Sequence, residues 1–161
     1  MPAPILALDQ LPTWRAHLPE SSRLVVTNGC FDLLHVGHVR YLQAARQLGN
    51  LLLVGLNGDH SVRQLKGPSR PINPEADRAE VLAALACVDA VCIFPETRAT
   101  HFLRLAQPHL YVKGGDYTHD SLHPDEKAVL QAANAEIHLL PLHPGRSTSS
   151  ILQRAQATPH P

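Results

Sequence analysis

The residues able to do chemistry gather in four short stretches. The first is Thr27-Asn-Gly-Cys-Phe-Asp-Leu-Leu-His-Val-Gly-His38, in which His35-x-Gly-His38 opens onto apolar residues at helical spacing. Two imidazoles at a helix entry can donate hydrogen bonds to phosphate oxygens, where free backbone N–H groups and the helix dipole also favour an anion. Gly37 lets the backbone approach such a ligand closely. Two other readings compete: a pair of surface histidines in a chain that has 11 of them, and a zinc site using Cys30, His35 and His38. The spacing is not a standard zinc pattern, and no fourth ligand lies nearby in sequence. The second stretch, Gly145-Arg-Ser-Thr-Ser-Ser150, offers hydroxyls, amides and a guanidinium at another helix start, more than an ordinary N-cap requires.

The third, Leu65-Lys-Gly-Pro-Ser-Arg-Pro71, reads as a Gly/Pro-rich loop carrying Lys66 and Arg70. The fourth, Val112-Lys-Gly-Gly-Asp-Tyr117, pairs two glycines that permit close backbone contact with the opposite charges of Lys113 and Asp116. Only three lysines occur in the chain, and two of them lie in these stretches. Arg78 and Asp89 flank the helix before the third strand, and an ordinary ion pair explains them almost as well as a functional role. No GxGxxG follows the first strand and no GxxxxGK[ST] occurs, which disfavours dinucleotide dehydrogenases and P-loop enzymes.

The elements that must position these residues alternate. Nearly continuous apolar runs at 23–27, 51–56, 88–94, 110–113 and 136–140 read as strands buried on both faces. Helical spacing separates them, in Val39-Leu42-Ala45-Leu48, around Leu82, Phe102 and Leu130, and at Ile151. The pattern predicts an α/β fold, a Rossmann-like doubly wound five-stranded parallel sheet with helices on both faces. Ligands bind such sheets beyond the carboxyl ends of the strands. At 161 residues one domain is expected, over 23–156, with 1–22 an N-terminal extension bearing a short helix and 157–161 a tail.

Composition narrows the partners. Fourteen Lys+Arg balance 14 Asp+Glu, which argues against the basic stripe of a nucleic-acid binder. No apolar stretch approaches the ~20 residues that cross a bilayer, and the first residues lack a basic n-region, so neither membrane nor secretion is expected. Three cysteines without CxxC spacing read as reduced thiols of a cytoplasmic protein.

Taken together, the four stretches resemble the cytidylyltransferase-like (HxGH) nucleotidyltransferase superfamily. Within it they look closest to the D-glycero-β-D-manno-heptose 1-phosphate adenylyltransferases, from about residue 23 to 152. The resemblance implies transfer of AMP from ATP to a sugar 1-phosphate, with release of pyrophosphate. Mg²⁺ would be held mainly by the phosphates, not by the protein alone. His35, His38 and Lys66 would be catalytic. Thr27, Asn28, Gly29, Phe31, Gly37, Arg146, Ser147, Thr148 and Ser149 would bind nucleotide and phosphate. Lys113, Gly114, Gly115 and Asp116 would line the base and sugar region, with Arg70 and Arg78 candidates for the acceptor's phosphate. A homodimer is normal for such a family, and a separate sugar kinase would supply the acceptor. Two features depart from it: Gly58 stands where relatives often carry Ser or Thr, and the His-rich stretch 118–124 matches no motif. A glycerol-3-phosphate cytidylyltransferase is the nearest rival, and a nucleotide-binding regulator is the non-enzymatic one.

Overall fold

Strands buried on both faces need helices above and below, and the chain supplies them in alternation. The computed structural model describes residues 1–115, 122–141 and 148–157. The strands are β1 (Ile5–Ala7), β2 (Leu24–Gly29), β3 (Leu51–Asn57), β4 (Ala90–Phe94), β5 (Leu110–Gly114) and β6 (Glu136–Leu140). They form one parallel sheet in the order β1-β4-β3-β2-β5-β6. The helices are α1 (Leu11–Ala16), α2 (Val36–Arg46), α3 (Asp59–Lys66), α4 (Glu75–Ala83), α5 (Thr100–Ala106), α6 (Pro124–Ala132) and α7 (Thr148–Ala157).

Side chains on a strand alternate between faces, and this alternation sorts the core into two. Val26, Leu53 and Tyr111 pack with Phe102, Leu103 and Leu130, on the face covered by α1, α5 and α6. Their chain neighbours Val25, Leu52, Leu110 and Val112 pack with Leu42, Ala45 and Leu82, on the face covered by α2 and α4. Both sides of every central strand are therefore apolar, which is why the runs in the sequence are nearly unbroken.

The winding reverses between β2 and β5, the point at which doubly wound sheets open a crevice. β2 pairs with β3 from Leu24 to Gly29, but with β5 only through Val25↔Leu110 and Val26↔Tyr111. Beyond those pairs the tips of β2 and β5 carry Asn28, Gly29, Lys113 and Gly114.

Three expectations are corrected. The sheet has six strands, not five, because Ile5–Ala7 pairs with β4 at the edge. A strand of three residues beside Pro4 carries too short a pattern to read, and only an edge position tolerates that proline. Lys66 is not in a loop: it ends α3, whose buried residues are only Ser61 and Val62, too few to show a period. Arg78 does not pair with Asp89; it pairs with Asp59 at 2.7 Å, while Asp89 receives Arg46 at 2.7 Å. Among the described residues, no helix is long and apolar enough to cross a membrane.

Candidate active site

A cleft of about 670 Å³ lies over the parted tips of β2 and β5. His35, Gly37, His38, Lys66, Asn28, Gly29, Phe31, Thr148, Ser149, Lys113, Gly114 and Arg70 all line it, so residues far apart in the chain converge as the sequence predicts.

His35 is the N-cap of α2, in extended conformation, and its Nδ1 accepts the amide of Gly37 at 3.1 Å. His38 Nδ1 accepts the amide of His35 at 3.4 Å, completing a capping box built from imidazoles. The ring centroids lie 4.0 Å apart, with the planes tilted by 36°. A nitrogen that accepts from an amide carries no proton, so in the neutral rings the hydrogen sits on Nε2. Burial, with His35 alongside, pushes the His38 pKa down to about 4, so its ring is neutral at physiological pH. The helix entry thus presents two N–H donors and the positive end of a dipole.

Cations approach from the end of α3 and the segment after it. Gly67 closes α3 with φ +100, a conformation that favours glycine, and places Lys66 at the rim. Arg70 is held by Asp32, with Nε to Oδ2 at 2.5 Å. Asp32 also accepts the amides of Ile72 and Asn73 at 2.9 and 3.0 Å. Burial acts to raise the Asp32 pKa, but the amides of Asn73 and Ile72 and the Arg70 guanidinium outweigh it and hold the carboxyl below its usual range. Cys30 lines the cleft too, yet burial pushes its thiol up despite Lys66, Arg78 and Arg70. That direction disfavours the thiolate, the form in which a cysteine acts as a nucleophile. α7 meets this rim through Thr148, whose hydroxyl donates to the Leu33 carbonyl at 3.2 Å.

Three predicted residues lie beside the cleft without lining it. Thr27 is fully buried, its hydroxyl 2.7 Å from that of Tyr41. Gly115, at φ +107, donates its amide to the Leu140 carbonyl. Arg78 is not an acceptor-phosphate ligand in this arrangement. Its buried guanidinium donates to the carbonyls of Cys30 (2.6 Å), Asn57 (2.9 Å) and Asn73 (2.9 Å), besides the Asp59 carboxylate. Asp116, Arg146, Ser147 and most of the His-rich stretch lie outside the described residues.

Other lining residues are given no role by the sequence reading: Asp32, Asn57 and His123, which lie in stretches it singled out, and Tyr41, Thr97 and Glu126. Tyr41 had a local signal, standing one helical turn after His38. Its hydroxyl donates to the Val112 carbonyl at 3.1 Å and so ties α2 to β5. Its ring lies where a Cβ on Gly114 would come within 2.8 Å. Glu126 had no local signal, since only the topology brings α6 to the switch point.

No group of three or more His, Cys, Asp or Glu side chains is placed to hold a metal among the described residues. The donor set around the histidines, N–H groups and cations, suits phosphate oxygens rather than a hard metal ion. Such a set fits Mg²⁺ that is itself carried on phosphates.

The fold and its switch-point cleft define a doubly wound α/β protein with a site for a polar ligand. The profile of the cytidylyltransferase-like family matches residues 26–154, and the chain belongs to that family, making it a nucleotidyltransferase by kind. It is 50% identical over 131 residues to the bifunctional protein HldE of Syntrophotalea carbinolica, covering 81% of this chain and 26% of that one. With the bifunctional protein HldE of Geotalea uraniireducens it shares 49% over 140 residues, covering 87% and 28%. The chain thus spans about a quarter of the length of these curated relatives. Among solved structures it is similar to a lipopolysaccharide core biosynthesis protein from Thermoplasma volcanium. There the TM-score is 0.61 at 24% identity, covering 76% of this chain and 97% of that one. A pantoate-beta-alanine ligase from Francisella tularensis gives a TM-score of 0.61 at 14% identity, covering 91% and 69%. At these identities the likeness is one of fold.

Proposed function

We propose that the chain transfers AMP from ATP to D-glycero-β-D-manno-heptose 1-phosphate, giving ADP-heptose and pyrophosphate by direct in-line displacement. The observation that carries this reading is the histidine pair at the start of α2, each Nδ1 accepting a backbone amide so that Nε2 is left as the donor, facing one cleft with Lys66 and Arg70. Identity near 50% to HldE proteins supports the heptose assignment within the family.

The acceptor phosphate is ionised at neutral pH and needs no strong base. What remains is to hold reactants in line and stabilise charge as the bond to pyrophosphate breaks. His35 and His38 donate to the triphosphate there, Lys66 neutralises the reacting phosphates, and Ser149 with Thr148 receives the β- and γ-phosphates at the α7 entry. Mg²⁺, held mainly through the phosphates, would supply further neutralisation of charge. The word bifunctional belongs to relatives several times longer; this chain takes the nucleotidyl-transfer part, and a kinase activity makes its acceptor.

Pyrophosphate release tests the reading, crossing ATP and CTP against heptose 1-phosphate and glycerol 3-phosphate. Turnover with ATP and heptose 1-phosphate alone is expected. Turnover only with CTP and glycerol 3-phosphate overturns the substrate pair, and turnover with none leaves a binding protein.

A further inference from the structure

The tips of β2 and β5 divide the cleft into two halves of different chemistry. Thr27, Gly29, Val112 and Gly114 alternate toward the α2 face, where the histidines stand. Asn28, Tyr111 and Lys113 alternate toward the α5–α6 face, and there the cleft wall includes Leu122, His123, Thr97 and Glu126. Asn28 Oδ1 accepts from the Tyr111 hydroxyl at 2.6 Å and from Lys113 Nζ at 3.3 Å. Glu126, in the first turn of α6, is 8% exposed and uses Oε1 to accept the amide of Ala99, the N-cap residue of α5, at 2.9 Å. Its charge acts on Lys113, opposing the fall in the lysine's pKa that burial causes.

A buried carboxylate repels phosphate and offsets the Lys113 charge, so this half suits the charged end of a ligand less well than the α2 half does. A carboxylate that accepts and an ammonium that donates, set in one wall, are complementary to hydroxyl groups, each both donor and acceptor. We infer that the α5–α6 half of the cleft is the subsite for the hydroxylated carbon skeleton of the acceptor. Glu126 accepts from a sugar hydroxyl and Lys113 donates to one, while the α2 half holds the phosphates. This rests on the proposed transfer to a sugar 1-phosphate and names the residues that read the sugar. The same hydroxyl chemistry occurs in the nucleotide's ribose, and the experiment separates the two sources.

Glu126→Gln keeps an oxygen for the Ala99 amide, and so keeps the α5 cap, while removing the charge that strengthens a hydroxyl's hydrogen bond. In steady-state pyrophosphate release, the variant is expected to raise KM for the sugar 1-phosphate about tenfold, with KM for ATP within twofold. An acceptor lacking one hydroxyl at a time should reveal the partner: one deoxy acceptor loses about tenfold with the natural chain and little with Glu126→Gln. A rise in KM for ATP, with sensitivity to 2′- or 3′-deoxy ATP, assigns the half to the ribose and overturns the inference. Unchanged KM for both substrates leaves Glu126 a helix cap and also overturns it. If the natural chain turns over no sugar 1-phosphate, the proposed function and this inference fall together. Failure of the inference alone shows instead as an active natural chain with an indifferent variant.

Discussion

At the scale of single residues, the histidine pair decides most. If His38 acts as one preorganised donor to the breaking bond, His38→Ala should lower kcat about 10²–10³-fold with the fold retained. Near-normal turnover in pyrophosphate release removes His38 from the mechanism. The same residue leaves a mark on stability. Its pKa falls from an ordinary 6.5 to about 4 in the folded chain, so between those pH values the unfolded chain binds more protons. Stability therefore rises with pH across that window; the His38 contribution is complete above 6.5 and is lost as pH falls toward 4. His38→Asn keeps an acceptor for the His35 amide and should flatten the slope of the urea midpoint against pH there. An unchanged slope would mean that the folded ring titrates normally. The histidines, Lys66 and Arg70 were legible in the sequence because each sits in a dense local motif. Arg78 was misread for the opposite reason. A buried arginine whose partners are the distant carbonyls of Cys30 and Asn57, the nearby one of Asn73, and Asp59 looks in sequence like any helix-flanking cation.

At the scale of elements, Arg78 shows how the cleft's floor is assembled. From α4 it joins the segment after β2 at Cys30, the end of β3 at Asn57, the segment before α4 at Asn73 and the start of α3 at Asp59. Removing it strands several buried acceptors, and breaking a buried pair costs about 3–5 kcal/mol. The Asp59 side chain is 24% exposed and regains water, so Arg78→Met should fall at the lower end, about 3 kcal/mol, by urea denaturation. Arg78→Lys should recover little, since one ammonium cannot reproduce a planar fork reaching four segments. Loss below about 1 kcal/mol in either variant would show that these segments hold together without it. The central strands and five of the helices were legible because burial on two faces imposes dense, regular apolar patterns. α3 was not, because its apolar face is nearly absent and its place is fixed by caps: Glu75 receives the Asp59 amide at 2.6 Å, and Gly67 ends it. The pairing of Asn28 with Tyr111 and Lys113 was likewise hidden, since it depends on the register of two strands 83 residues apart in the chain.

At the scale of the whole molecule, the site and the sheet's weakest edge lie at a distance from one another. β1 is three residues long and pairs only with β4, whereas the cleft lies over β2 and β5, with β3 between. The edge strand nevertheless covers apolar surface. Ile5, Leu6 and Ala7 match Val91, Cys92 and Ile93, and the Val91 amide donates to the Pro4 carbonyl at 3.0 Å. Ala3 adds a bond to the Ala83 carbonyl at 2.9 Å, fastening the segment to the end of α4. Removing residues 1–7 would turn β4 into an exposed, apolar, unpaired edge with no proline or charge to guard it, the arrangement that recruits other chains. The truncated protein should therefore unfold at lower urea and self-associate by light scattering. Its soluble monomer should keep kcat/KM within about threefold, because no residue lining the cleft is lost and two strands buffer the change. A monomer that stays dispersed and stable would make β1 a passive tail. A large loss of activity in a stable truncated protein would instead mean that strain at the edge reaches Lys66, for which Glu75 and α3 offer a route from the cavity that β1 shares with Glu75.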